Sequence, residues 1–123
     1  MKKGGIMMRL EEVKQILNAK VWIGEEELES EVFTACGCDL MSDVLAFAKE
    51  KVLLLTGLVN LQVIRTAEML DIKSIVFVRG KSPSEDMIEL ANEKGMTIFS
   101  TDEPLYMACG KLYEAGLKGK GDV

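Results

Sequence analysis

The chain has 123 residues, 48% of them apolar and 28% charged, which is the size and composition of one globular domain. Twenty acidic residues against fifteen basic ones give a net charge of −5, so a dedicated nucleic-acid binder, which needs a basic face, is not expected. The sequence contains no histidine, which removes Ser-His-Asp and Cys-His catalysis and His-ligated zinc.

The first half of the chain predicts two helices and several extended segments. The helices are predicted over 9–17 and 42–50, and the extended segments over 20–23 and 31–36. Leu10, Val13 and Leu17 recur at helical spacing. The acidic run 25–27 is interpreted as a solvated loop, and residues 21–50 together carry eight acidic side chains and one basic one.

The second half has a regular alternation of strands and helices. Strands are predicted over 52–55, 75–78 and 97–100, and helices over 60–70, 84–94 and 104–115. Continuous apolar strands are typical of a parallel sheet that is buried on both faces, and right-handed crossovers place the helices over it. We therefore predict a three-layer α/β fold with a mainly parallel sheet, a βαβαβ core, and an N-terminal helix plus extended segments at its edge.

The domain boundaries follow from the same pattern. Residues 9–117 are predicted to form a single domain, 1–8 a disordered N-terminus and 118–123 a frayed tail. The longest apolar runs are far shorter than the roughly 20 residues that cross a bilayer, and no apolar leader segment follows the basic N-terminus. A cytoplasmic protein with no membrane partner is expected.

The most suggestive local motif is the Arg-Gly-Lys-Ser sequence at 79–82, between a predicted strand and a predicted helix. A Walker A loop would need a glycine where Ile75 stands, so hydrolysis of nucleoside triphosphates is not expected. Two interpretations remain open. The motif is a turn in which Ser82 caps the next helix, or it is an anion site built from free backbone N–H groups, the helix dipole and the charge of Arg79 or Lys81.

Polar residues also follow the other strands of the predicted core, and ligands of open α/β folds bind at these strand ends. The candidate ligand-binding residues are Thr56, Gly57, Asn60, Arg79, Gly80, Lys81, Ser82 and Thr101. Asn60 is expected to cap one helix, and Thr101 or Asp102 the last one. Ordinary turn chemistry is the alternative interpretation.

A second candidate site is formed by Asp39, Ser42 and Asp43. In one interpretation Ser42 caps the short helix, and Asp43 lies favourably at its positive end. In the other, the two carboxylates hold a cation or face a ligand. They do not make a convincing acid/base pair, because nothing in the sequence separates their pKa values.

The three cysteines are weak candidates for a metal site. Cys36, Cys38 and Cys109 supply three thiols, whereas four ligands are usual and no histidine is present to complete the set. Free, buried or half-buried thiols are the expected state. No cofactor is predicted.

The stretches 75–85, 88–91, 94–98 and 100–101 resemble the DRTGG domain family. That domain occurs in regulatory CBS-pyrophosphatases and long phosphotransacetylases, and a similar fold forms the N-terminal domain of HPr kinase/phosphorylase. The signature is incomplete here: the loop at 56–60 lacks the Asp-Arg pair, and the loop at 78–80 keeps one glycine of the Thr-Gly-Gly triplet. Segments 39–46 and 55–67 are similar to small stand-alone members, which are often labelled HPr-kinase-like and encoded near iron-hydrogenase subunits.

This resemblance implies an α/β fold, a homodimer and a regulatory or scaffolding role. It does not imply kinase activity, because the kinase's phosphate-binding loop lies in a different domain. The leading hypothesis is a non-catalytic regulatory module that dimerises and senses a small anionic ligand, either a nucleotide or a phosphorylated metabolite. The alternative is an accessory protein partner of a hydrogenase-type metalloenzyme, with or without metal binding by the thiols. A small-molecule phosphoryl or acyl enzyme using Asp39, Asp43 and Lys81 is the least favoured hypothesis.

Overall fold

The apolar runs of the second half form the centre of a five-stranded sheet in the computed structural model, which describes residues 7–47 and 51–119. The strands are β1 (Met8–Arg9), β2 (Lys20–Ile23), β3 (Glu31–Val32), β4 (Thr34–Gly37), β5 (Val52–Thr56), β6 (Ser74–Phe77) and β7 (Thr97–Ser100). The helices are α1 (Leu10–Leu17), α2 (Met41–Val44), α3 (Leu61–Met69), α4 (Glu85–Glu93) and α5 (Leu105–Glu114). Short 3-10 turns cover Glu25–Glu27 and Leu45–Phe47.

The strand order in the main sheet is β2-β7-β6-β5-β4. Strands β4 to β7 are parallel, and β2 pairs antiparallel with β7 at one side. The segment predicted as one extended piece over 31–36 divides in two. Its first part, β3, pairs antiparallel with β1 in a separate ribbon, and its second part, β4, becomes a fourth parallel strand. The predicted βαβαβ core is therefore larger by one strand.

Helices cover both faces of the sheet, so the three-layer α/β fold is confirmed. Leu54 and Ile75 point towards α2, α3 and α4. Leu53 and Val76, one position away on the same strands, point towards α1 and α5. Side chains alternate between the two faces of a strand, and all five residues of β5 are buried because both faces are packed.

The predicted cap is confirmed for one helix, and three other helices start differently from the prediction. Asn60 caps α3 as predicted, its side-chain oxygen accepting a hydrogen bond from the Val63 amide at 3.2 Å. Helix α4 is capped by Ser84 instead of Ser82, through a 3.3 Å bond from the Met87 amide. The acidic residues that suit a first helical turn begin at 85, one residue after the extended backbone of Ser84.

The starts of α2 and α5 are the other two differences. Leu40 precedes the first turn of α2, so Ser42 lies inside the helix and does not cap it. Helix α5 begins after Pro104, without a capping side chain. The hydroxyl of Thr101 instead donates to the carbonyl of Leu17 at 2.7 Å, because α1 ends directly beside it. Neither Thr101 nor Asp102 is therefore the cap.

The domain is ordered slightly beyond the predicted boundaries. Met8 belongs to β1 and is buried, whereas it was expected in the disordered N-terminus. The carbonyl of Lys118 accepts hydrogen bonds from the Thr34 hydroxyl at 2.7 Å and from the Ala35 amide at 3.2 Å. These bonds hold the start of the predicted tail against the outer edge of β4. Residues 1–6, 48–50 and 120–123 lie outside the described residues.

Across residues 7–47 and 51–119, no helix combines the length and the apolar character that crossing a membrane requires.

Candidate functional site

The loops that follow the parallel strands meet at the carboxyl end of the sheet. The β5–α3 loop carries Thr56, Gly57 and Asn60, and the β6–α4 loop carries the Arg-Gly-Lys-Ser motif at 79–82. Helices α3 and α4 begin at this end, so the positive ends of their dipoles are directed there. This group of loops is called the carboxyl-end site below.

Lys81 links two of these loops. Its half-buried side chain donates a hydrogen bond from Nζ to the carbonyl oxygen of Gly57 at 2.9 Å. Its own carbonyl accepts a 2.8 Å bond from the hydroxyl of Ser100, at the end of β7. That hydroxyl in turn accepts a 2.7 Å bond from the indole N–H of Trp22 on β2. The position of Lys81 is thus set by the ends of three strands.

Arg79 is held in an unusual backbone conformation. Its φ is +60°, and that of Gly80 is +69°, so both residues are left-handed. Glycine adopts this conformation freely, but it costs a non-glycine residue about 1–3 kcal/mol. The exposed Arg79 side chain forms no hydrogen bond or ion pair with any residue that the structure describes. Backbone strain of this kind collects at functional sites.

The backbone amides of this loop are not free, contrary to one of the two interpretations of the motif. Arg79 N–H donates to the carbonyl of Glu103 at 2.9 Å, and Gly80 N–H to that of Thr101 at 2.8 Å. The amide of Lys81 closes the turn with a 3.3 Å bond to Val78. An anion at this loop would therefore contact charged side chains and the start of α4. The backbone N–H groups of 79–81 are not available to bind it.

Asp39 joins the two sites that were predicted separately. Its carboxylate oxygen Oδ1 accepts a 2.6 Å hydrogen bond from the Gly57 amide and a 3.1 Å bond from the hydroxyl of Thr56. Ser42 and Asp43 lie exposed on α2. The sequence offered no signal for this contact, because the parallel pairing of β4 with β5, which brings the two loops together, was not recognised.

Two of the hydroxyls predicted to bind a ligand already form hydrogen bonds inside the fold. Thr56 is fully buried, and its Oγ1 donates to Asp39 and accepts from the Leu58 amide at 3.1 Å. Thr101 is also buried, and its bond to Leu17 directs its hydroxyl towards α1. Ser82 is exposed. Trp22 and Ser100 were missed as supports of the site, since strand pairing alone brings them beside Lys81.

The cysteines do not converge. Cys36 packs on the face that carries α2 to α4, while Cys109 packs on the opposite face, beside Gly37. Burial, with smaller contributions from Cys38, Cys109 and Asp43, raises the pKa of Cys36 to about 11, and burial also raises the pKa of Cys109. Protonated thiols are poor metal ligands. Within 7–47 and 51–119, no group of three or more His, Cys, Asp or Glu side chains is placed to hold a metal ion.

No protein-family model matches the sequence, and no curated protein matches it significantly. A solved structure is similar: the CBS and DRTGG domains of the regulatory region of Clostridium perfringens pyrophosphatase, complexed with the activator diadenosine tetraphosphate. The TM-score is 0.71 at 17% sequence identity, over 94% of this chain and 52% of the other. This chain thus spans about half the length of that structure. The likeness shows the fold, and at that level it confirms the DRTGG-like resemblance of the sequence.

Proposed function

We propose that this protein is a non-catalytic regulatory module that binds a small anionic ligand, a nucleotide or a phosphorylated metabolite, at the carboxyl-end site. The observation that carries the proposal is the pair of uncompensated cations in the β6–α4 loop. Neither Arg79 nor Lys81 forms an ion pair with a carboxylate within the described part of the chain, although the protein as a whole has a charge of −5.

The helix ends beside this pair favour an anion. Helices α3 and α4 start here, and a helix N-terminus attracts negative charge. The strained backbone of Arg79 keeps a cation at this point at a cost in stability, which is typical of a binding position. Asp39 already accepts a hydrogen bond from the Gly57 amide, so a ligand here either contacts the cations beside it or displaces the carboxylate.

The fold supports a regulatory role. The similar structure is a regulatory region, and it was complexed with a nucleotide activator. No histidine is present, and the groups of the least favoured enzyme hypothesis are engaged or exposed: Asp39 and Lys81 are both hydrogen-bonded to the backbone of Gly57, and Asp43 is exposed on α2. These observations favour binding over catalysis. We place the protein in the cytoplasm as part of the same proposal.

We also propose that the module acts as a homodimer, as the DRTGG resemblance implies. Apolar side chains on the outer surface of α5 support this: Tyr106, Met107 and Tyr113 are 86%, 46% and 48% exposed. Light scattering coupled to size-exclusion chromatography measures the mass directly. A dimer that dissociates in Tyr106→Glu is the expected result, and a strict monomer over all accessible concentrations contradicts this part of the proposal.

Calorimetric titration with diadenosine tetraphosphate, ATP and adenosine tests the ligand class. We expect the phosphorylated compounds to bind and adenosine to bind much more weakly, because charge supplies the interaction. Arg79→Gln and Lys81→Gln should each weaken binding about tenfold, the loss of one charge-assisted contact. Lys14→Gln, the same change on α1, is the matched control.

Two results would contradict the proposal: no binding of any phosphorylated compound, or an equal loss of affinity in Lys14→Gln. The second result would indicate nonspecific attraction by total charge and not a site in the β6–α4 loop.

A further inference from the structure

A cavity of about 990 Å³ opens at the amino end of the sheet, opposite the carboxyl-end site. Its floor consists of the first residues of three parallel strands: Val52, Ser74 and Thr97. Strand β3, the residues just before it and the start of α1 form one wall, and the turns after α3 and α4 form another. The volume is that of a small-molecule site, and the sequence contained no motif for it.

The hydroxyl of Ser74 faces this cavity without a partner. Ser74 lies two positions before Val76, so its side chain points to the same face of the sheet, where the ribbon lies. The residue is 2% exposed, and no protein group in 7–47 or 51–119 hydrogen-bonds its hydroxyl. Among these residues, every side-chain oxygen that is completely shielded from solvent has a hydrogen-bond partner. Since the Ser74 hydroxyl has none, it is not completely shielded, and the surface that it keeps lies in the cavity. Thr97 differs, because its hydroxyl bonds to the carbonyl of Gly24 at 3.2 Å.

The charges around the cavity favour a cation. Three carboxylates, those of Glu27, Glu31 and Asp71, oppose the ammonium groups of Lys51 and Lys73, which leaves a formal charge of −1. Helices α3 and α4 end at this wall, and the C-terminus of a helix is negative.

Some of the charged groups around the cavity already have partners within the protein, and others do not. The ammonium nitrogen of Lys73 lies 3.6 Å from a carboxylate oxygen of Asp71 and 3.5 Å from the carbonyl oxygen of Lys94, so it already has partners. Glu27 accepts a hydrogen bond from Ser30 at 2.8 Å. The carboxylate of Glu31 forms no ion pair or side-chain hydrogen bond in the part of the chain that the structure describes. It is therefore the carboxylate that is free to meet a ligand.

Apolar surface lies beside these polar groups. Leu70 after α3 is a half-buried part of the lining, whereas Leu10, Val32 and Val52 are already almost fully buried. An aliphatic chain can remove this surface from water, whereas a bare metal ion or a compact ammonium ion cannot.

We propose that this cavity binds a small organic cation, an amine or guanidine on an aliphatic stem. The carboxylate of Glu31 accepts hydrogen bonds from the cationic head, and the Ser74 hydroxyl accepts another. The stem lies against Leu70. This site is independent of the proposed anion site and lies at the other end of the same strands.

A pair of probes that differ only in the sign of the head group tests the proposal: hexylamine and hexanoate. In an NMR titration of the intact protein, hexylamine should shift the amides of Val52, Ser74 and Thr97, and hexanoate should not. Glu31→Gln should weaken hexylamine binding about tenfold, and Lys51→Gln should strengthen it, since it removes a repelling charge. Binding should also weaken as salt is added.

Glu89→Gln, the same charge change on the exposed side of α4, is the control and should bind hexylamine as the unmodified protein does. Asp71→Asn serves as a second variant if Glu31→Gln folds poorly, because asparagine tolerates the left-handed φ of +60° at that position. Failure of hexylamine to bind, an equal loss in Glu89→Gln, or shifts confined to the carboxyl-end site would overturn the proposal. None of these results bears on phosphate binding by Arg79 and Lys81, so the two sites can fail separately.

Discussion

The two ends of the sheet differ in charge, although the same strands supply both. The carboxyl end carries Arg79 and Lys81 without ion pairs, together with the positive ends of α3 and α4. The amino end carries the negative ends of those helices and the carboxylates of Glu27, Glu31 and Asp71. In a parallel sheet every crossover helix runs in the same direction, so the fold itself makes the two ends electrostatically opposite.

The largest effect is expected from a substitution in the core of β6, which lies between the two ends. Phe77 is fully buried on β6, between Ser74 at one end and Arg79 at the other. Phe77→Ala should lower the free energy of unfolding by about 3–5 kcal/mol, because the cavity it leaves is only partly filled. Urea denaturation measures this loss. A change below 1 kcal/mol, on the order of a surface substitution, would mean that the core around β6 is not packed as described.

Asp39→Asn changes the charge at the carboxyl end of the sheet and leaves the amino end unchanged. It removes the carboxylate that holds the Gly57 amide, at a cost of about 1 kcal/mol in unfolding free energy. It should tighten binding of ATP about threefold to tenfold, because one negative charge leaves the carboxyl-end site. Hexylamine binding should not change. Asp43→Asn on α2 is the control, and tighter ATP binding in that variant as well would show a general charge effect.

Arg79→Gly should change stability and ligand binding in opposite directions. Glycine relieves the left-handed strain at φ +60°, so the free energy of unfolding should rise by about 0.5–1 kcal/mol after the entropic cost of glycine is subtracted. Binding of phosphorylated compounds should weaken in the same variant. Thermal unfolding and calorimetry measure the two effects, and a loss of stability would mean that the loop is not strained at this residue.

The last prediction concerns pH. Burial raises the pKa of Cys36 from 9.0 to about 11, so between these values the unfolded chain loses a proton that the folded protein retains. The unfolded state is favoured by this difference, and the free energy of unfolding should fall as the pH rises from 9 to 11. Unfolding in urea across this range should show a shallower decline in Cys36→Ala. An identical decline in both proteins would show that other groups cause it.

Much of the second half could be predicted from local pattern. Strand β7 has the predicted bounds, and β5, β6 and the helices between the strands differ from prediction by one or two residues. The first half is less predictable from local pattern, because the segment around Phe33 contributes to two different sheets. Where it divides, the Phe33 amide donates to the Lys51 carbonyl at 2.8 Å, a contact between residues far apart in sequence.

The candidate site was predicted as a set of loops, and its internal contacts were not. That Thr56–Gly57 and Arg79–Lys81 follow parallel strands already placed them at one end of the sheet. The bond from Lys81 to Gly57 agrees with that placement. The roles of Ser82 and Thr101 were misjudged because capping depends on where each helix starts, and a single serine or threonine near a boundary does not decide this.

The sequence by itself determined the α/β class, the parallel core and the end of the sheet where the cationic loop lies, because hydrophobic period and strand polarity are local properties. Only the tertiary structure decided that Asp39 meets Gly57, that the thiols of Cys36 and Cys109 lie on opposite faces, and that Ser74 faces a cavity. Each of these depends on pairing between segments distant in the chain. Such pairing is selected by the packing of the whole core and leaves no local pattern.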